Sequence, residues 1–198
     1  MISFDTAASF TLEDERVLLR PLEISDTELL APLSLEKEIW KYASVDVHDT
    51  ETLRSYFQLA LDGRASQKEY PFVVYDKLKE KYAGSTRFYD IQPANRMLQL
   101  GYTWYGKEFH GTGLNKHCKF LLLQFAFEKI GMERVEFRAN NLNERSIAAM
   151  KSIGCTVEGI LRKNMWKADG TYRDSIILSI LKEEWMGGVK EKLAAKLL

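Results

Sequence analysis

From Thr103 to Glu128 the chain reads TWYGKEFHGTGLNKHCKFLLLQFAFE. An aromatic, strand-like run meets Gly111-Thr112-Gly113, and a long helix pattern follows at once, with Leu114, Phe120, Leu121, Leu123, Phe125, Ala126 and Phe127 at helical recurrence. A glycine turn between a strand and a helix constrains this chain more than any other feature. The first amides of a helix have no partner within it and lie at the positive end of its dipole. Glycines let a ligand approach that main chain closely. Together they suit an anion, and phosphate best. Taken alone, the turn also fits a plainer reading, in which two glycines merely shape the connection.

The common nucleotide sites do not fit. A dinucleotide fingerprint needs a third glycine where Lys116 stands. A P-loop begins with the spacing of Gly106 and Gly111, but Thr112 and Gly113 then occupy its Lys and Ser/Thr positions.

The apolar period changes along the chain. Arg16 to Glu23 reads as a strand. Ser25 or Asp26 is suited to cap a helix that runs on through LLAPLSLEKEIWKY, with a break expected at Pro32. Thr50 to Ala65 is a second helix, with Leu53, Phe57, Ala60 and Leu61 at helical spacing. Tyr70–Asp76, Lys81–Ile91 and Met97–Tyr105 are three strands, turned at Asp76-Lys77 and Pro93-Ala94-Asn95. Alternation in the third puts Leu98, Leu100, Tyr102 and Trp104 on one face. The helix after the glycine turn stops at Gly131, Arg134–Ala139 is a strand, and Asn143–Ile153 is a helix ended by Gly154. Thr156–Lys167 and Tyr172–Leu181 are the last strands, turned at Asp169-Gly170, and an amphipathic tail begins at Lys182. The order β-α-α-β-β-β-α-β-α-β-β predicts an α/β fold with one mixed sheet and helices on both faces.

Composition narrows the function class. No linker or repeat divides the 198 residues, so a single domain over 1–198 is expected. Lys+Arg and Asp+Glu balance at 28 each, which argues against a partner read through its phosphates, such as a nucleic acid. Cys118 and Cys155 make no disulfide framework, which points to a reducing, cytoplasmic setting. No apolar run approaches the roughly 20 residues of a membrane span. The N-terminus MISFDTAASFTLEDER lacks the order of a signal peptide.

The stretch FHGTGLNKHCKFLLLQFAFEKIGMERVEFRANNLNERSIAAMKSIGC, with IGCTVEGILRKNMWKADGTYRDSIILSI, resembles the acetyl-CoA-binding core of the GNAT N-acetyltransferases. It resembles most the branch containing the bacterial ribosomal-protein N-terminal acetyltransferases. The resemblance spans about Arg16 to Leu181, and the element order is similar to that family's. It implies a sheet that splays between Met97–Tyr105 and Arg134–Ala139. It implies acetyl-CoA as acetyl donor, with its pyrophosphate on amides of Phe109, His110, Gly111, Thr112, Gly113 and Leu114, and with Lys116 as a candidate phosphate cation. The pantetheine arm would pair with the backbone at Trp104 and Tyr105. Asn143 and Ser146, at the head of the next helix, would line the arm's other side. Asn143 is equally suited to be a plain N-cap, and Ser146 a plain backbone-bonding residue.

Two positions depart from the family pattern. Glu108 stands where the pyrophosphate motif has Arg or Gln, and Met150 where many members carry a tyrosine acid. Ser146 stands where the N-terminal acetyltransferase branch has a serine, and the resemblance therefore implies for it the catalytic role of hydrogen-bond donor to the departing thiolate. The implied reaction is direct attack of a neutral amine on the thioester carbonyl, with main-chain amides at the splay facing the oxyanion. Glu69, Asp90 and Glu108 are candidate bases that the sequence does not rank.

No metal is expected, since His48, His110 and His117 show no ligand spacing. Cys118 has no activating partner in sequence. Trp40, Tyr42, Tyr56 and Phe57 fit either an acceptor groove or helix packing on the sheet. The expected activity is N-acetyl transfer to a protein N-terminus or a small primary amine, with a homodimer as the family's suggestion. The alternative is a non-catalytic acyl-CoA-binding or interaction domain on the same scaffold.

Overall fold

The computed structural model describes residues 4–167 and 170–197. In chain order the elements are β1 (Leu12–Glu13), β2 (Val17–Pro21), α1 (Asp26–Ser34), α2 (Lys37–Trp40), α3 (Thr50–Ala65), β3 (Tyr70–Asp76), β4 (Lys81–Gln92), β5 (Met97–Tyr105), α4 (Leu114–Gln124), β6 (Arg134–Asn140), α5 (Glu144–Ser152), β7 (Thr156–Trp166) and β8 (Tyr172–Leu181), followed by the short tail helices α6 (Lys182–Glu184) and α7 (Lys190–Ala194). One sheet holds all eight strands in the order β1-β2-β3-β4-β5-β6-β8-β7. Only the central β5–β6 pair is parallel, as the α4 crossover between them requires. Asp169 of the expected last turn lies outside the described residues.

Side-chain alternation sorts the apolar residues into two cores. Tyr70, Phe72 and Val74 of β3 join α4 and the buried tail residue Trp185 on one face, while Val73 joins α1, α2 and α3 on the other. Trp40, Tyr56 and Phe57 are buried in this second core, so packing is what three of those four aromatics do. Among the described residues no helix is long and apolar enough to cross a membrane.

Three local expectations change. A single helix after Ser25 is instead α1 and α2. Pro32 is accommodated inside α1, and the chain turns extended at Glu36, where the Trp40 indole nitrogen donates to the Ser34 carbonyl at 2.7 Å. Neither Ser25 nor Asp26 makes the expected cap. Ser25 makes no side-chain cap bond, and Asp26 is buried against Arg20 at 2.6 Å. Third, Leu98 and Leu100 face the α4 core but Trp104 faces the other. The register explains it: Arg87 pairs with Gly101 and Ser85 with Trp104, so Tyr102 and Thr103 stand opposite Thr86 alone. This is a β-bulge, and one extra residue reverses every side chain beyond it.

The bulge sits where the sheet opens. β5 and β6 pair only at Met97–Arg134, Leu98–Val135 and Gln99–Glu136. β5 stays on β4 as far as Tyr105, and β6 stays on β8 as far as Asn140. Beyond Gln99 the two strands part, and among the described residues no strand pairing joins them. Gly84 makes the β4 side of this arrangement possible, because a Cβ there would lie 2.0 Å from the Trp104 carbonyl oxygen.

Candidate active site

The glycine turn lies at the open end of β5. Gly111 and Gly113 have φ of +73° and +88°, and a Cβ at either would meet open space. The left-handed conformation at Gly113 starts α4 without a side-chain cap. Among the described residues no acceptor pairs with the amides of Gly111, Thr112, Gly113, Leu114 or Asn115. The turn is braced from behind. The Thr112 hydroxyl donates to the Phe109 carbonyl at 2.8 Å, and Arg16, doubly bonded to buried Asp76, reaches the Thr112 carbonyl at 3.4 Å. The side chains of Phe109 and Leu114 are buried in the core, so only their main chain is available to a ligand.

Glu108 is paired with two cations, with Lys79 and Lys81 each 3.5 Å from its carboxylate. Lys79 also donates to the Glu108 carbonyl at 2.7 Å. Lys116 adds another cation, with no carboxylate partner among the described residues.

Trp104 and Tyr105 are both buried. Trp104 packs between Trp40 and Phe57, and its indole nitrogen has no hydrogen-bond partner among the described residues. The Tyr105 hydroxyl donates to Asn115 at 3.2 Å. Its carbonyl accepts from His110 Nε2 at 3.0 Å, and Arg145 donates to the other ring nitrogen at 3.2 Å. This chain of bonds joins the β5 end, the glycine turn and α5. Asn143 is the N-cap, its side chain accepting from the Ser146 amide at 3.1 Å. The Ser146 hydroxyl has no partner among the described residues. A depression of about 450 Å³ between α2 and this helix head is lined by Lys41, Tyr42, Asn143 and Arg145. The structure thus brings together the turn, the end of β5 and the head of α5.

Met150 is buried in the core. Cys118 and Cys155 are buried as well, and desolvation pushes both thiols up to about 12, opposite to the shift a nucleophile needs. The three carboxylates left unranked are all engaged: Glu69 with buried Arg87 at 2.6 Å, Glu108 with its lysines, and Asp90 with Gln92 and Gln99. Asp14, Glu15 and His117 place one ligand atom each within 4.8 Å of one another. His117 bonds Asp14 at 2.7 Å, and the other Asp14 oxygen accepts the amides of Arg16 and Val17, so the Asp14–His117 pair fastens the first hairpin to α4.

Two features are not evident in the sequence. The first is an aromatic and cationic wall on the α3 side of the splay. The Arg87 guanidinium lies 4.7 Å from the Tyr56 ring and 4.0 Å from that of Tyr102, and Tyr89 meets Tyr102 edge-on at 4.9 Å. The second is Lys119, buried on α4, whose Nζ donates to Thr103 Oγ1 at 2.7 Å. Its place in the helix gave a signal, because positions three, four and seven residues on are Leu122, Leu123 and Ala126, all buried.

Comparison with known proteins fits this geometry. The family model described as "Acetyltransferase (GNAT) domain" matches residues 16–156. A Bacillus subtilis protein named "Putative ribosomal N-acetyltransferase YdaF" is 28% identical over 179 residues, covering 88% of this chain and 96% of its own. A crystal structure of an acetyltransferase, named as putative, from T. thermophilus superposes with a TM-score of 0.84 at 33% identity, over 95% of this chain and 97% of that one. Mycobacterium smegmatis RimJ, solved in complex with CoA-disulfide, shares the fold with a TM-score of 0.77 at 20% identity, over 94% and 93% of the two chains. An open mixed sheet, a glycine turn ahead of the crossover helix and a match over most of the chain lead to one assignment: the protein belongs to the GNAT family of N-acetyltransferases.

Proposed function

We propose that the protein binds acetyl-CoA across the glycine turn and the splay, and transfers its acetyl group to a protein N-terminus or a small primary amine. The observation that carries this reading is the adjacency of two sets of main-chain groups: the amides from Gly111 to Asn115, unpaired among the described residues, and the β5 edge beyond Gln99, which has no strand partner on the β6 side and whose Tyr105 carbonyl His110 holds. The first set suits a diphosphate, helped by Lys116 and Arg145. The second suits an extended arm that adds to a strand edge. Acetyl-CoA supplies an acetyl group already activated as a thioester.

The chain's own residues supply position and polarity. Amides of the splayed stretch around Trp104 and Tyr105 face the charge that develops on the acetyl oxygen. Ser146, its amide fixed by Asn143, offers a hydroxyl to the departing sulfur. The amine arrives from the side walled by Tyr89, Tyr102 and Arg87 and attacks as the free base. A relative named as a ribosomal N-acetyltransferase supports a protein acceptor. Calorimetric titration with acetyl-CoA, then thiol release against a panel of peptides and small amines, tests the reading. One-to-one binding followed by amine-dependent release is the expected result. No binding ends the proposal, and binding without release for any amine leaves only an acyl-CoA sensor.

A further inference from the structure

Lys119 is 6% exposed, yet no carboxylate pairs with it among the described residues. The titratable groups facing it are Cys118 on its own helix and Cys155 at the head of β7, both neutral thiols near pH 7. Among the described residues its ammonium donates to two hydroxyls, Thr103 Oγ1 at 2.7 Å and Thr86 Oγ1 at 3.4 Å. Those two threonines also bond each other at 2.7 Å. They are residues of the bulge, where Thr86 on β4 faces two residues of β5.

The bulge is strained. Tyr102 has φ of +49°, a left-handed backbone on a bulky residue that has no glycine freedom. Tyr102 is 42% exposed, and its ring meets Arg87 at 4.0 Å and Tyr89 at 4.9 Å. Such a conformation persists only where the surroundings over-determine it. Thr103 follows Tyr102 directly and is hydrogen-bonded to α4 through Lys119. A buried ammonium without a counter-ion costs stability, and an apolar residue of the same length would fill the place at less cost. What Lys119 provides instead is a charge-assisted bond from α4 to the strand edge at the splay.

We propose that Lys119 is a positioning residue for acetyl transfer: its bond to Thr103 holds the bulged stretch of β5 in the shape that presents main-chain groups to the thioester. The role rests on the placement of the donor arm argued above. Lys119 acts through Thr103 and the Tyr102–Trp104 backbone, and no covalent step involves it.

The test compares the whole protein with K119M, T103V and T103S. Amide hydrogen exchange at Tyr102–Tyr105 needs no cofactor. It should quicken at least fivefold in K119M and T103V, while β3 amides stay at the wild-type rate. With acetyl-CoA and an amine that the wild type turns over, kcat should fall at least tenfold in both variants, with KM for acetyl-CoA within threefold. T103S, which keeps the hydroxyl, should recover most of the lost kcat. The double variant should be no slower than the slower single one. K119M should melt no lower than wild type, since Thr86 and Thr103 still satisfy each other. Unchanged exchange at Tyr102–Tyr105 in both variants overturns the proposal whatever the rates do, and so does quickened exchange with kcat within twofold of wild type. If the wild type neither binds nor turns over acetyl-CoA, the donor reading fails, and positioning for acetyl transfer falls with it. The exchange data then still report whether Lys119 pins the strand.

Discussion

Arg145 reaches from the first turn of α5 to the ring of His110, 3.2 Å away, while the same ring bonds the Tyr105 carbonyl at 3.0 Å. A carbonyl can only accept, so His110 Nε2 donates to Tyr105, and Nδ1 is the atom left to accept from Arg145. One exposed histidine therefore links the two arms between which the donor is proposed to lie. Arg145→Ala should weaken acetyl-CoA binding by about three- to tenfold, the worth of one charge-assisted contact. The loss should shrink as salt is raised. Titration at two ionic strengths checks this, and an unchanged affinity at low salt would remove Arg145 from the site.

The glycine turn gives a second prediction. Gly113 has φ of +88° and a Cβ added there would meet open space, so Gly113→Ala acts through backbone strain and not through a clash. The strain is about 1–2 kcal/mol for an L-residue in the left-handed region. If the turn relaxes to avoid it, the amides from Gly111 to Asn115 lose their convergence. Acetyl-CoA affinity should fall roughly tenfold with only a small drop in Tm. A large Tm drop with unchanged affinity would mean the turn is only a connection.

Ser146 separates binding from chemistry. Its amide serves the Asn143 cap, which Ser146→Ala keeps, because only the hydroxyl is lost. The variant should bind acetyl-CoA within twofold of wild type and lose about tenfold in kcat, the scale of one hydrogen bond made in the transition state. Steady-state thiol release at saturating acetyl-CoA measures it. Equal kcat would reject the donor role.

Burial of Lys119 gives a pH signature in stability. Desolvation lowers its pKa from 10.5 to about 8. Below pH 8 both folded and unfolded states carry the proton, and the folded state bears the full penalty of burying it. Between about 8 and 10.5 the unfolded state binds more protons, so this group makes stability rise with pH. Lys119→Met should therefore be more stable than wild type below pH 8, by a few kcal/mol at roughly 1.4 per pKa unit. The advantage should vanish as pH climbs past 10.5. Urea unfolding at a series of pH values checks the sign, and an advantage that grows with pH would contradict it.

Most of the scaffold is legible in the sequence because it is written in short-range signals. The strands from Tyr70 to Tyr105 and from Arg134 to Asn140 follow from apolar runs bounded by turn residues, and Gly131 ends its helical segment in the left-handed conformation expected of it. What stays hidden depends on partners distant in sequence. Alternation misplaces Trp104 because the bulge at Tyr102 rests on the Thr86–Thr103 contact across β4, which no alternation rule contains. Asp26 reads as a cap because its carboxylate is local to a helix start, but Arg20 on β2 holds it. Lys119 shares its helix face with Leu122, Leu123 and Ala126, but lysine is commonly solvated, and that expectation outweighs the spacing. The site divides the same way. The turn and the Asn143 cap are local and readable, whereas the wall of Arg87, Tyr89 and Tyr102 needs the register of two strands.

The central claim is that the free amides at the head of α4 and the β5 edge beyond Gln99 hold the donor together. Amide hydrogen exchange with and without CoA tests it most directly. Protection should appear at Gly111–Asn115 and along β5 beyond Gln99, with little change in β2 and β3. Protection confined to other segments, or none at saturating CoA, would contradict the account.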